Sequence, residues 1–225
     1  MTAMNQADSL APAAGRQPTA LDAVIGRFDQ ILKGAAGPHQ ANRPYPAHNI
    51  AETVNETSTR REVASLMRVN HAGEICAQAL YQGQALTARL DGVRHAMTQA
   101  AQEEVDHLAW CSQRLGELGD RASLLDPLWY AGSFVVGALA GLSGDQRSLG
   151  FVAETERQVV AHLQSHLDQL PQDDARTRAI IDQMMRDEAK HGGQALLEGG
   201  VLPPGPIKAL MKATAKVMTS TAKWL

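Results

Sequence analysis

The chain has 225 residues, 44% hydrophobic and 4% aromatic, enough to bury one sizeable core, and its wealth of Ala, Leu, Gln and Glu favours helices over sheets. A formal net charge of −3 argues against a nucleic-acid-binding surface. Cys76 and Cys111 stand in no metal-type spacing and read as buried thiols of a reducing compartment, while Met1–Ala20 carries no secretory or transit signal.

Residues 1–18, rich in Ala, Pro, Gln and Ser, are expected to be disordered. Thr19-Ala20-Leu21-Asp22 resembles a capping box, opening a short helix with Leu21, Val24, Ile25, Phe28, Ile31 and Leu32 on one side. Gly34 and Gly37-Pro38 end it, and a linker with Pro44 and Pro46 runs to about Thr57. Ser58 starts a long helix to about Leu90, with Val63, Leu66, Met67, Ile75, Leu80 and Leu86 facing the core. Gly73 inside it costs about 1 kcal/mol against alanine. Its place beside Glu74 points to a close approach to the backbone or to plain packing. A second helix runs from about Gly92 to Leu118 and stops at Gly119.

Asp126-Pro127 then caps a segment, Leu128–Gly144, without one charged residue. With Pro127 it reaches 18 uncharged residues, the lower limit for a membrane span, but its glycines dilute it too far to cross a bilayer. It either covers the bundle or forms a lipid- or quinone-facing wall, with Phe134 and Val135 as the contacts. Ser143–Gln146 opens a helix to about Leu170, and another runs from about Asp174 to Glu198 with Ile180, Ile181, Met184 and Met185 inward. Beyond Pro203-Pro204-Gly205-Pro206, the last segment mixes Ile207, Leu210, Met211, Val217, Met218 and Trp224 with Lys208, Lys212, Lys216 and Lys223 and has no acidic residue. Such a basic amphipathic helix reads as interfacial, the alternative being a helix docked on the bundle with solvated lysines.

Two Glu-x-x-His motifs, Glu104–His107 and Glu188–His191, put a carboxylate and an imidazole one helical turn apart on one face. Each has a further glutamate upstream: Glu74 stands 30 positions before Glu104, and Glu156 stands 32 before Glu188. If each pair faces across a helical hairpin, the bends should sit near 89 and 172. The chain there reads Arg89-Leu90-Asp91-Gly92 and Pro171-Gln172-Asp173-Asp174, both turn signals. The expected fold is therefore all-α: a ferritin-like four-helix bundle over 58–200 with a long apolar crossover helix, preceded by residues 1–57 and followed by a basic C-terminal helix over 201–225.

Four carboxylates and two imidazoles suit iron or manganese, and the lack of thiolates argues against structural zinc. Glu104 and Glu188 would bridge two ions, each completed by a histidine and by Glu74 or Glu156. By the pseudo-symmetry of the repeat, Asp187 is expected at the outer nitrogen of His107 and Glu103 at that of His191. His71, one turn before Glu74, is a further candidate for supporting the ligands. His39, His48, His95 and His166 read as surface residues.

The blocks Arg68-Val69-Asn70-His71-Ala72-Gly73-Glu74, Glu103–His107, Asp126–Gly132, Val152–Glu156 and Asp187–His191 resemble the demethoxyubiquinone hydroxylase family, from roughly Arg60 to the C-terminus. The resemblance implies a di-iron monooxygenase of ubiquinone biosynthesis, with two iron ions as cofactor and dioxygen as co-substrate. The resemblance further implies hydroxylation of the ring of a polyprenyl methoxy-benzoquinol and peripheral attachment to the membrane that holds this lipid. For this chain that means the cytoplasmic face of a bacterial inner membrane. Other proteins of ubiquinone biosynthesis and a second copy of the chain are compatible partners. Aligning the fourth block selects Glu156 over Glu154 as ligand. Mitochondrial relatives carry His-Tyr where this chain has His162-Leu163, a departure that puts any electron route through that tyrosine in question. The first 55 residues lie outside the resemblance. Two other functions share parts of the pattern: a ferritin-like iron-storage protein, and a non-enzymatic quinone- or lipid-binding protein.

Overall fold

The computed structural model describes residues 40–224; the expected disordered stretch 1–18, the short helix over Leu21–Leu32, and His39 lie outside them. Among the described residues there are six helices and no strand: α1 Thr57–Thr87, α2 Asp91–Leu118, α3 Asp126–Leu142, α4 Asp145–Gln169, α5 Ala175–Leu197 and α6 Gly205–Ala222. The protein is a ferritin-like helical bundle, in which α1 pairs with α2 and α4 with α5 through short loops, while α3 crosses over between the hairpins.

The helix ends follow local chemistry. Gly119 stops α2 with φ at 78°, a left-handed residue that lets the Asp120 N–H donate back to the Leu115 carbonyl at 2.9 Å. Asp174 caps α5, its carboxylate accepting from the Thr177 N–H at 3.0 Å. The α1–α2 turn is held from outside: Asp145, in the first turn of α4, accepts from the N–H groups of Arg89 (3.0 Å) and Leu90 (2.8 Å).

Two apolar clusters fill the bundle. One joins Val63, Met67, Trp110, Leu115, Leu163, Ile180, Ile181 and Met184; the other joins Ala77, Tyr81, Val93, Met97, Leu149, Val152 and Ala195. Truncating a fully buried side chain such as Ile180 or Met184 to alanine costs about 2–5 kcal/mol. In every helix of the four, the candidate ligands fall between the two clusters. The polar layer therefore sits at one level, sealed above and below.

Gly137 and Gly141 of α3 face α1, while Gly132 lies exposed. A Cβ on Gly137 would lie 2.2 Å from the Leu80 carbonyl oxygen, and one on Gly83 would lie 2.3 Å from that of Phe134. Backbone thus packs on backbone, and the residues that dilute the apolar run are the ones that let the crossover lie close. Its other face leaves Leu128, Val135, Val136, Leu139 and Leu142 exposed. No helix among the described residues is long and apolar enough to cross a membrane.

Residues 40–56, read as a Pro-containing linker, carry no helix or strand and lie docked on the bundle: Ala47 and Val54 are buried in the first cluster, Tyr45 donates to Glu117 at 3.1 Å, and Glu52 pairs with buried Arg114 at 2.5 Å. Several other expectations need correction. Leu86 is exposed, because that face of α1 turns outward near its end while Tyr81, Gln84 and Ala88 turn in. His166 is buried, sharing the inner face of α4 with Leu163 and Leu170, and its Nδ1 meets Asn70 Oδ1 at 2.7 Å. Cys111 is buried, but Cys76 is only partly so, and both are free thiols. Gly73 has no close neighbour: a Cβ there would meet nothing within 4 Å.

Candidate metal centre

Glu74 from α1, Glu104 and His107 from α2, and Glu188 from α5 offer ligand atoms that all lie within 4.8 Å of one another, and every one of these residues is buried. His107 Nδ1 points into the group, 2.9 Å from Glu104 Oε2, 3.3 Å from Glu74 Oε2 and 3.0 Å from Glu188 Oε1. His191 Nδ1 enters from the other side, 3.4 Å from Glu188 Oε2 and 3.6 Å from Glu104 Oε1. Glu156 of α4 adds a fourth carboxylate beside Glu188 and Glu104, receiving the Tyr81 hydroxyl on Oε1. All six expected ligands converge at one level. Glu154, two residues from Glu156, faces away to Arg157 (2.6 Å) and Lys208 (3.5 Å).

The outer nitrogens carry their own partners. His107 Nε2 lies 3.0 Å from Asp187 Oδ2, and His191 Nε2 lies 2.7 Å from Glu103 Oε2. With Nε2 donating outward, each ring presents Nδ1 as the lone pair toward the carboxylates. His71 pairs through Nδ1 with Asp126 Oδ2 at 3.0 Å, which ties α1 to the start of the crossover.

The electrostatics are those of too many acids in one place. Burial, and then Glu188 beside them, push Glu104 and Glu156 well above the ordinary carboxylate range. Glu188 is held low against its burial by the imidazoles of His107 and His191. Burial opposes charge on the histidines too, but the neighbouring carboxylates override it, raising His107 well above its ordinary value and His191 to about 9. Without a cation, the cluster therefore keeps protons that it would not hold in water.

These donors suit a metal. Glu104 Oε1, Glu156 Oε2, both oxygens of Glu188 and His191 Nδ1 are buried without an aligned hydrogen-bond partner. Orphaned polar atoms in a sealed core cost about 1–3 kcal/mol each and are rare unless something fills the gap. Here they are all carboxylate and imidazole atoms aimed at one space, a donor set for medium-hard divalent ions such as iron.

Sequence reading did not single out Tyr81, Trp110 or Arg43. Tyr81 was within reach of it, standing seven residues after Glu74 and so two turns along the same face. Trp110, three residues after His107, sets its ring tilted at 45° to the imidazole, 5.5 Å between centroids. Arg43 bears no local signal, since its partners Asp106 and Asp187 are 63 and 144 positions away. Of the residues expected at the membrane, Val135 is exposed, as are Lys212 and Lys216. Phe134 instead packs against the cluster of Ile75, Ala79, Leu108 and Tyr130, and Lys208 is engaged with Glu154.

Comparison with known proteins agrees with this geometry. The family model for ubiquinone biosynthesis protein COQ7 matches residues 61–222. A 3-demethoxyubiquinol 3-hydroxylase of Nitrosococcus oceani is 57% identical over 212 residues, which are 94% of this chain and 99% of the relative. Those of Cupriavidus metallidurans (55% identical, 90% and 99% covered) and Bordetella parapertussis (53% identical, 96% and 98% covered) are similar to the same extent. Coverage of this order takes in much of the N-terminal segment, so the first 55 residues are not an addition peculiar to this chain. The match over most of the chain, together with the four-helix ring of carboxylates and histidines, places the protein in the family of ubiquinone biosynthesis protein COQ7.

Proposed function

We propose that the protein is a di-iron monooxygenase that hydroxylates the ring of a polyprenyl methoxy-benzoquinol, demethoxyubiquinol, on the cytoplasmic face of a bacterial inner membrane. The reading rests first on the convergence of unpartnered carboxylate and imidazole atoms in a sealed layer, and then on the names of the relatives. Glu104 and Glu188, each facing both histidines, would hold two iron ions together with His107, Glu74, His191 and Glu156. When bound, two reduced irons would supply two electrons to dioxygen, so that with two protons taken up one oxygen atom becomes the ring hydroxyl and the other is released as water.

The chain's own residues do the rest. The two apolar clusters keep water from the layer, which strengthens every charge interaction inside it. The Tyr81 hydroxyl donates to Glu156 Oε1 and so leaves Oε2 free toward the centre. A cleft lined by Ala77, Leu80, Tyr81, Val152 and Thr155 leads between α1 and α4 to Glu156. A substrate almost insoluble in water must come from the bilayer. The exposed apolar face of α3 and the exposed side of α6, with Leu210 and Val217 among Lys212 and Lys216 and with Lys223 and Trp224 just past its end, supply the surface to meet it.

The chemical test is a single turnover. Reduced, iron-loaded protein mixed with a short-chain demethoxy-quinol and labelled dioxygen should yield the hydroxylated ring carrying one labelled oxygen. Iron oxidation without label in the ring would favour iron storage and sink the hydroxylase reading. The membrane is tested by sedimentation with anionic vesicles, where binding should fall but not vanish as salt rises, since the lysine attraction is screened and apolar insertion is not. A full-length protein that stays in solution at low salt would refute the peripheral attachment.

A further inference from the structure

We infer that Arg43 is a positioning residue for the metal centre, fixing the carboxylate that orients His107; the inference rests on the metal-binding reading above. Arg43 lies outside the stretch matched by the family model and belongs to the strap before α1. Its Nε is 2.6 Å from Asp106 Oδ2 and its Nη1 is 2.8 Å from Asp187 Oδ2. One planar guanidinium thus bridges α2 and α5, gripping the residue before His107 on one helix and the residue before Glu188 on the other. Its position is itself fixed. The backbone N–H of Asn42 donates to Asp106 Oδ1 at 2.6 Å, and the guanidinium lies over the Trp110 ring at 4.7 Å from its centroid.

The chemistry follows from what Asp187 is left free to do. Its Oδ1 accepts from Gln183 at 3.1 Å, while Oδ2 is shared between Arg43 and His107 Nε2. With both oxygens assigned, the carboxylate cannot rotate, and the imidazole it holds keeps Nδ1 aimed at the carboxylates. A lysine cannot repeat this. It would supply charge, but not the fork that spans two carboxylates at once. Arg43 also adds positive charge near the centre, which by itself disfavours a metal cation. Its contribution must therefore be orientation, and it must appear as geometry at the metal and not only as stability.

The test uses the full-length protein and cobalt(II) as an air-stable probe for the iron site, following stoichiometry, affinity and the visible ligand-field bands. Wild type should bind two ions. Arg43→Gln should weaken the tighter binding step by roughly ten-fold, at the lower end of what outer partners of metal-bound histidines contribute, and should alter the bands. Arg43→Lys should recover less than half of that loss. Combining Arg43→Gln with Asp187→Asn should cost little more than Asp187→Asn alone, because the two act through one contact. Glu52→Gln is the structural control: it loosens the same strap at the Arg114 pair, so it should lower melting temperature and leave the cobalt spectrum unchanged. Wild-type affinity and spectrum in Arg43→Gln would overturn the inference while leaving the metal centre standing, as would full rescue by lysine. Failure of the wild type to bind cobalt would sink both.

Discussion

The two halves of the centre are copies in ligand type and opposites in support. His107 is wholly buried; its outer partner Asp187 is pinned by Arg43 and Gln183, and its ring rests near Trp110. His191 keeps a thin exposed edge, and its outer partner Glu103 is steadied by Gln99 at 3.0 Å and by the charge of Lys190, on the surface of α2. A repeated Glu-x-x-His sets which atoms reach the metal, but not how firmly they are held. That second property comes from elements outside the repeat: the strap on one side, solvent on the other.

The largest effect should come from what the halves share. Glu104→Ala or Glu188→Ala removes a carboxylate that serves both histidines, and should abolish binding of both ions in metal analysis of the purified protein. Glu154→Gln, equally buried but turned toward Arg157 and Lys208, should leave the metal content intact. If Glu154 proved essential and Glu156 dispensable, the register of α4 would be wrong.

A smaller effect should separate the halves. Asp187→Asn should weaken metal affinity by roughly 10–100-fold, the range for outer partners of ligating histidines. Glu103→Gln, half-exposed and replaceable by water, should cost only a few-fold. Equal losses in calorimetric titrations would erase the asymmetry argued above.

Most of this layout was legible in the chain. The Glu–Glu spacings with breakers at their midpoints gave the hairpins, and the three-residue spacing gave the face. What could not be read was long-range and polar. Residues 40–56 look like a linker because Pro44 and Pro46 forbid regular structure, yet Ala47, Val54 and the Glu52–Arg114 pair dock the segment on the bundle. His166 read as surface because a lone histidine on a helix carries no partner in its own neighbourhood, and Asn70 is 96 positions away. The glycines of α3 read as dilution of an apolar run. For Gly137 and Gly141 the packed pair of helices supplies the reason, since a close approach of two backbones leaves no trace beyond the glycines themselves.

Protonation gives a third contrast, in protein stripped of metal. A histidine whose folded value is raised stabilises the fold fully below its unfolded value and loses that contribution as pH rises through the folded one. For His191 the window runs from 6.5 to about 9, and for His107 it extends higher. Glu104 and Glu156, raised by burial and by Glu188, act in the same direction. Stripped protein should therefore lose stability as pH rises above neutral, with a slope of at most about 1.4 kcal/mol per pH unit for each proton released. His166 has the opposite sign: burial lowers it to about 3, so its contribution is lost as pH falls from 6.5 toward that value. Melting curves of stripped His191→Gln should be flatter than wild type on the alkaline side alone. Saturating metal should flatten them too, because divalent ions replace the protons. An alkaline limb unchanged in His191→Gln would mean that its proton is not held by the cluster.

The smallest effect is expected at two glycines beside the ligands, one in each half. Gly192 follows His191, and a Cβ built there lies 3.2 Å from the Glu156 Cβ and 3.7 Å from the Ala153 carbonyl oxygen. Glu156 must give way by a few tenths of an ångström for alanine to fit, so Gly192→Ala should disturb a ligand even though it changes one methyl group. Gly73 precedes Glu74 in the middle of α1, and a Cβ there meets nothing. Its only consequence is the intrinsic helical cost of glycine, about 1 kcal/mol relative to alanine. Gly73→Ala should accordingly raise the melting temperature slightly and bind cobalt as wild type does, while Gly192→Ala should bind it more weakly with altered bands. A Gly73→Ala protein that folds well but loses metal would mean that the bound centre brings a group against that backbone, and that Gly73 is kept for the ligand and not for the fold.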